Sequence, residues 1–457
     1  VVPGRAGSAV ILAEALSTSP EGLPEALSLV NGLDDALVHG LGRPDETHLE
    51  ALADLAAVFA GSPLAEPVGA AVGKIEAGSV TDEHLLALAG ARSALFGAAH
   101  DSLLSMVDAA TGRTREPYPA DVVAKTSVPA GIRSWLRELA IVGWRGVDHE
   151  VAAAGARAVP GLLEDPQHRR MAVLIDGLAA ELRAAAPVAT QPQVPARRWA
   201  DLWSRALLMS QVQAPLTPID GRFLILGADL REHPTAFQVQ VHGLLETGDE
   251  VRLVRTALAA GKVDTITGPS VWRLLSGFPV LLSALAGQRV LELTGMLLSV
   301  SGDLMWDESR AAAGEVADPF ATARVRLGSA LASSVAPLDR HPAVIAEPVL
   351  LEGYKAGPAG LDLGGSVLPV DPLPAAGPLT PALVSASSAC IGLLRYDAAG
   401  WSIRPLAVQA TVRKKSVAVH TADWALGPTE AKAAKAEATA GQAVEVLRER
   451  AGRLLRK

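Results

Sequence analysis

The sequence predicts an α+β protein: a multi-helical N-terminal domain, then a mostly antiparallel β-sandwich or partly open barrel domain, then a C-terminal helix. Three observations predict it. Apolar residues recur at spacings of three and four from about Ala6 to Val212, and after Thr217 the period falls towards two. A proline-bearing stretch, APVATQPQVPARR (Ala186–Arg198), lies just before that change. The tail from Pro428 is rich in Ala, Glu, Lys and Arg, a helix-forming composition. The expected division is a helical domain over 1–185, a linker and Trp-bearing helix over 186–216, a β-rich domain over 217–426 and a terminal helix over 427–457.

Within the helical part, LEALADLAAVFAG (Leu49–Gly61) puts Leu49, Leu52, Leu55, Ala56 and Phe59 on one face. The run Val80–Val107 begins with Thr81 or Asp82 as N-cap. WLRELAIVGW (Trp135–Trp144) and MAVLIDGLAAELRAA (Met171–Ala185) continue the pattern, and short Gly/Pro breaks imply successive antiparallel helices. In RRWADLWSRALLMSQ (Arg197–Gln211), Trp199, Leu202, Trp203, Ala206 and Leu207 form one stripe. Two tryptophans beside arginines can stack on nucleic-acid bases, but this spacing points to a core-facing helix.

RFLILGADL, AFQVQVHGLLE and EVRLVRTAL read as strands. A helix near Val271–Leu285 separates them from VLELTGMLLSVSGDLMW. LLRYDAAGWSIRPL reads as a hairpin turning at Asp-Ala-Ala-Gly, with Trp401 opening the return strand. In the terminal helix Thr429 can cap, and Val444, Leu447, Ala451, Leu454 and Leu455 form the apolar face.

The bulk composition narrows the function classes. A chain of 457 residues with 49% apolar content has material for two or three domains. Net charge is −8, without the concentrated basic face that duplex binding needs, so nucleic acid is not an expected partner. The charge is uneven: residues 1–110 hold 15 acids against 4 bases, and residues 411–457 hold 10 bases against 5 acids. Cys390 is the only cysteine, which precludes an internal disulfide and a Cys-rich zinc site and fits a reducing cytoplasm. No apolar run approaches the roughly 18–20 residues of a membrane span. The chain starts Val-Val without Met, so a preceding segment remains open.

Chemical motifs are sparse. DLREHPTAFQVQVH (Asp229–His242) gathers Asp229, Glu232, His233 and His242, all able to bind a metal. Strand alternation places Phe237, Val239 and Val241 on one face and Gln238, Gln240 and His242 on the other, outer face. His233 and His242 would lie roughly 30 Å apart if extended, so a hairpin is favoured over a metal site, with Asp229, Glu232 and His233 as weak ligand candidates. His39, His48, His84, His100, His149, His168, His341 and His420 form no ligand-spaced pair. Gly261-Lys262 lacks the first glycine and the Ser/Thr of a phosphate loop, and neither GxGxxG nor GxSxG occurs. Cys390 in SSACIGLL reads as a small buried hydrophobe rather than a nucleophile. SGDLMWDESR (Ser301–Arg310) clusters Asp303, Asp307 and Glu308 around Trp306. Paired carboxylates at a strand end can serve glycoside hydrolysis or hold a divalent ion, and turn and cap roles are the competing reading.

The succession RRWADLWSRALL, FLILGADL…QVQVHGLLE and GLLRYDAAGWSIRPLAVQ resembles in layout the helical-plus-β accessory proteins encoded beside bacterial MoxR-type AAA+ ATPases and von Willebrand A proteins. It covers about residues 196–425. Some of those relatives carry a SWIM zinc finger, which a chain with one cysteine cannot form. The resemblance transfers no catalytic or binding residue and implies work inside a complex. The expected function is therefore a non-enzymatic scaffold or adaptor subunit of a bacterial cytoplasmic complex. It would have a protein partner such as an AAA+ ATPase, no cofactor and no membrane contact. The alternative is a hydrolase or carbohydrate-binding module using Asp303, Asp307 and Glu308.

Overall fold

The computed structural model describes residues 5–119, 130–164, 169–209, 216–232, 236–262, 265–397, 400–412 and 414–429, with isolated residues beyond. It is an α+β protein, helical first and sheet-rich after. The terminal helix expected from Pro428 onwards lies almost wholly outside the described residues, as do His168 and His233.

The helical part comprises α1 (Arg5–Ser17), α2 (Leu23–His39), α3 (Glu46–Val58), α4 (Ala65–Glu76), α5 (Asp82–Thr111), α6 (Ala130–Val142), α7 (His149–Glu164), α8 (Arg169–Ala185) and α9 (Ala196–Leu208). Thr81 caps α5, accepting from the backbone N–H of His84, and Gly112 ends it at φ 68°, a left-handed conformation that glycine adopts without strain. Most of these helices share one core, including Leu33, Leu37, Leu52, Leu88, Leu136, Trp144 and Leu178. The Trp-bearing helix α9 belongs to that core. Trp203 is fully buried and donates its indole N–H to Leu136 O at 2.9 Å, and Trp199 donates to Glu181 Oε2 at 3.0 Å. The proline-bearing stretch before α9 also stays within the bundle, with Val188 fully buried. On the opposite side of α2 from its exposed face, Asp34 and Arg92 form a buried bidentate ion pair at 2.7 and 3.1 Å.

The β part has two layers. β1 (Leu216–Glu232), β2 (Ala236–Thr247) and β3 (Glu250–Gly261) form an antiparallel meander. A 3-10 turn (Gly268–Leu275) and α10 (Pro279–Gly287) lead to β4 (Arg289–Ser299) and β5 (Asp303–Met305). β5 runs parallel to β3 and antiparallel to β4, and β4 pairs with the first half of β1. The circuit β1-β2-β3-β5-β4-β1 closes a barrel. This is the connectivity of a five-stranded OB-type barrel with its helix between β3 and β4. The barrel interior holds Phe223, Phe237, Val239, Val241, Leu291 and Met296. β1 serves two partners in succession, β4 over Leu216–Phe223 and β2 over Arg222–Glu232, and its register against β2 shifts between Ile225 and Gly227. β6 (Ala311–Val316) extends β4 outside the barrel.

After α11 (Pro319–Arg326) comes the second sheet, ordered β13-β12-β11-β7: β7 (Glu347–Glu352), β11 (Ser387–Asp397), β12 (Gly400–Val412) and β13 (Lys415–His420). A small sheet, β8 (Lys355–Gly357), β9 (Gly360–Asp362) and β10 (Val367–Leu368), sits beside it, and the short helix α12 (Pro381–Ser385) precedes β11. The second sheet packs on the outside of the barrel: Leu224, Leu226, Leu244 and Leu253 meet Ile391, Leu393, Leu406 and Ala407 in one apolar layer with Phe320. Cys390 is fully buried in the sheet core, and burial pushes its thiol up to about 12, so it stays protonated and inert. The sequence-predicted helix at Val271–Leu285 is two pieces broken at Ser276–Phe278, because Pro279 favours a new helix start.

The helical and β parts are joined by buried charge. The chain leaving α5 lays Thr114–Glu116 beside Ala332 and inserts two arginines. Arg113 Nη1 and Arg115 Nη2 each lie 2.9 Å from Glu347 Oε2 on β7, and Arg115 also grips Asp108 at 2.8 and 3.0 Å. Burial alone would push Glu347 up. The guanidinium groups of Arg115 and Arg113 overcome it and hold the carboxyl below its ordinary value.

Candidate functional site

The strand-end carboxylates each have a separate engagement. Asp303, at the start of β5, pairs with Arg255 on β3 (Oδ1–Nε 2.6 Å, Oδ2–Nη2 3.3 Å) and receives a hydrogen bond from Ser299 Oγ. Asp307 caps the 3-10 turn that follows: its Oδ1 accepts from the Ser309 N–H at 3.0 Å and its hydroxyl at 2.6 Å, and Arg310 approaches Oδ2 at 3.1 Å. Those bonds hold its carboxyl below the usual range. Glu308 accepts from the Trp306 indole at 2.8 Å and from the backbone N–H of Val280 at the start of α10. The three carboxylates are thus committed to a strand junction, a turn and a helix start.

The residues of DLREHPTAFQVQVH are dispersed as well. Asp229 is buried on β1 between Arg404 (2.9 Å) and Arg231 (2.8 Å). Burial would raise its carboxyl, and the two guanidiniums reverse that and lower it. Arg404 continues to Asp371, which also binds Arg395, both at 3.2 Å. This chain of alternating charges stitches the barrel to the second sheet. Glu232 pairs with Lys262 at 3.3 Å.

His242 departs from expectation in an informative way. Alternation places it on the outer barrel face with Gln238 and Gln240, but it is buried, because the second sheet covers that end of β2. It lines a polar cleft with Arg115, Arg255, Ser301, Ser333 and Glu347, where all three layers of the molecule meet. The cleft leaves about 60 Å3 for water-sized occupants. Among the described residues, the Nε2 of His242 and the Oγ of Ser301 find no hydrogen-bond partner and are buried. Desolvation, helped by the nearby Arg255 charge, pushes His242 down to about 3, so its imidazole is neutral at physiological pH.

A larger groove opens on the other side of the second sheet. Tyr396 and Trp401 face each other across the β11–β12 hairpin, ring centroids 5.1 Å apart in an edge-on arrangement. Both are half-buried, and with Leu16, Leu103, Leu363 and Leu368 they line a groove of about 360 Å3. Ser17, Thr18, Ser19 and Ser366 complete the walls, with the Ser17 and Thr18 hydroxyls donating to Glu14 O at 2.8 and 3.1 Å. The hairpin and Trp401 are legible in the sequence. The groove is not, because its other walls come from α1 and α5, remote in the chain.

Sequence reasoning also missed a contact between histidines. His39 and His48 stack with ring centroids 4.7 Å apart, and both approach Asp35. The available signal was Asp35 and His39 one helical turn apart, with His48 a short loop away in the first turn of the next helix.

No family model, curated protein or solved structure matches this chain. The barrel connectivity therefore stands as a statement about fold alone. OB-type barrels commonly bind oligonucleotides or oligosaccharides on the face around strands 2 and 3. Here the second sheet covers the adjoining part of that face, at Leu244 and Leu253.

Proposed function

We propose that this protein is a non-enzymatic adaptor subunit of a bacterial cytoplasmic complex, and that the groove beneath Trp401 holds a segment of its protein partner. The carrying observation is the Tyr396–Trp401 pair standing over Leu16, Leu103, Leu363 and Leu368. Half-buried aromatics beside a concave apolar floor are where binding energy concentrates in protein interfaces. The wall hydroxyls can pair with a bound segment's backbone, which an apolar slot could not satisfy. The partner class we assign is an AAA+ ATPase, on the layout shared by residues 196–425 with MoxR-associated proteins.

Charge supports a partner with a basic docking surface. Glu46, Glu50 and Asp54 recur every fourth residue along the exposed side of α3, within a region holding 15 acids and 4 bases. The hydrolase or carbohydrate reading gains no specific support, since Asp303, Asp307 and Glu308 are each bound to other groups.

The test is titration of the purified MoxR-type ATPase of the source organism with wild type and with Trp401→Ala, followed by light scattering and calorimetry. The expected result is a stoichiometric wild-type complex, weakened at least tenfold by the substitution, as for an interface anchor worth about 2 kcal/mol. Failure of the wild type to bind the ATPase would remove the partner assignment. Equal binding by both proteins would remove the groove.

A further inference from the structure

We propose that Asp35, His39 and His48 form a divalent transition-metal site, for Zn2+ by ligand chemistry, that clamps the end of α2 to the start of α3. Each offers one ligand atom, and the three atoms lie within 4.8 Å of one another. Two imidazoles and a carboxylate are a common set for zinc, with solvent completing the tetrahedron. Ligands around one zinc ion lie ~3.3 Å apart, so the widest pair has to close by up to about 1.5 Å. Asp35 and His39 can move, their side chains being 62% and 52% exposed, while His48 is fixed at 8%.

Hydrogen bonding already selects the ligand atoms. Metal-binding histidines usually donate their second ring N–H to a carboxylate or a backbone carbonyl. In both histidines Nδ1 faces such a group. His48 Nδ1 lies 2.7 Å from Asp45 Oδ1, and His39 Nδ1 lies 3.0 Å from the backbone carbonyl of Asp35. With Nδ1 so engaged in each ring, Nε2 is the atom left for a metal, and at His48 the ion would displace the hydrogen bond to Asp35.

The position of Asp35 adds a second argument. His48 Nε2 is 3.2 Å from Asp35 Oδ2. That contact is a hydrogen bond, and Nδ1 of the same ring lies 2.7 Å from Asp45 Oδ1, so two carboxylates face one imidazole. A metal ion at Nε2 would take the place of that hydrogen bond and draw Asp35 and His48 onto one centre. Only a metal also uses His39. Helix-cap chemistry explains Asp45, which accepts from the backbone N–H of His48, but it leaves the convergence of Asp35, His39 and His48 unexplained.

The scaffold is preorganised. Leu41 and Gly42 donate to Ala140 O (2.8 Å) and Ile141 O (3.1 Å) of α6, fixing the loop between α2 and α3. A Cβ on Gly40 would come 2.7 Å from Ile141 O, so the close approach requires glycine. The site joins the C-terminal end of α2, whose dipole favours a cation, to the first turn of α3, whose dipole opposes one.

The test uses untagged full-length protein, dialysed against chelator and titrated with Co2+ and then Zn2+. Wild type should take up one equivalent of Co2+ with the visible absorption of a tetrahedral nitrogen–oxygen site, bleached by Zn2+. It should also gain thermal stability with Zn2+. His39→Ala and Asp35→Asn change exposed side chains and should leave the circular dichroism unaltered. Each should weaken uptake at least tenfold and abolish the stabilisation. If wild type takes up no more ion than His39→Ala, the proposal fails and the Asp35–His48 contact is a hydrogen bond alone.

Discussion

His242 shows what a single buried residue does to the pH response. Its imidazole is held neutral, down to about 3, by desolvation and by Arg255. The unfolded chain takes up that proton near pH 6.5. Between those values the unfolded state binds more protons, so stability falls as pH drops from about 6.5 towards 3. His341, pushed down to about 4 chiefly by burial, contributes with the same sign over a shorter window. Replacing His242 by Gln removes one titrating group. The loss of unfolding free energy between pH 7 and pH 5, read from urea titrations, should then shrink by about 2 kcal/mol. An unchanged loss would show that His242 titrates normally. Alternation along β2 correctly put His242 on the opposite face from Val239 and Val241. It could not show that the face is covered, because the residues around it, Arg115, Ser333, Glu347 and Pro348, lie far along the chain. The same limit hid the partners of Asp229: a strand pattern shows which way a side chain points, not which arginine arrives from another sheet.

At the level of elements, β1 carries a heavier load than its length suggests. Its first half closes the barrel on β4 and its second half pairs with β2. Gly227 sits just past the register shift, where β12 comes closest, and a Cβ there would lie 2.6 Å from Leu406 Cβ. Gly227→Val should force the barrel and the second sheet apart. We expect a destabilisation of about 1–3 kcal/mol, measured as a lower urea midpoint with unchanged m-value. A midpoint equal to wild type would mean that the layers do not meet so closely. Local elements were the legible part of the sequence. The spacing of Leu52 and Leu55, the cap at Thr81 and the Asp-Ala-Ala-Gly turn before Trp401 all depend on neighbours in the chain. Barrel closure through β1 and β4 depends on pairing across a long intervening stretch, which periodicity does not encode.

For the whole molecule, the joint between helices and sheets is electrostatic as much as apolar. Arg113 and Arg115 leave the bundle to meet Glu347 on β7, and Arg252 on β3 reaches Glu116 at 3.3 Å. Buried charges of this kind are costly when one partner is removed. Glu347→Ala would leave Arg113 without its carboxylate and Arg115 with Asp108 alone, a loss of about 3 kcal/mol. Wild type should unfold calorimetrically in one transition, because neither part can leave without exposing these groups. The variant should show a split or broadened transition, with the bundle and the β part separating. A single sharp transition in both proteins would place the coupling elsewhere.

The outer face of the barrel has a history as well as a place. Leu224, Leu226 and Leu244 are covered by β11 and β12, but the barrel strands end at Met305 and β12 ends at Val412. During synthesis the barrel can close while its covering sheet has yet to leave the ribosome. At ~5–20 residues per second, that interval lasts on the order of 5–20 s. For that time a nascent chain presents a greasy surface to its surroundings. A ribosome-associated chaperone would find its binding window there, and a premature stop between those points would release a sticky, half-clothed barrel.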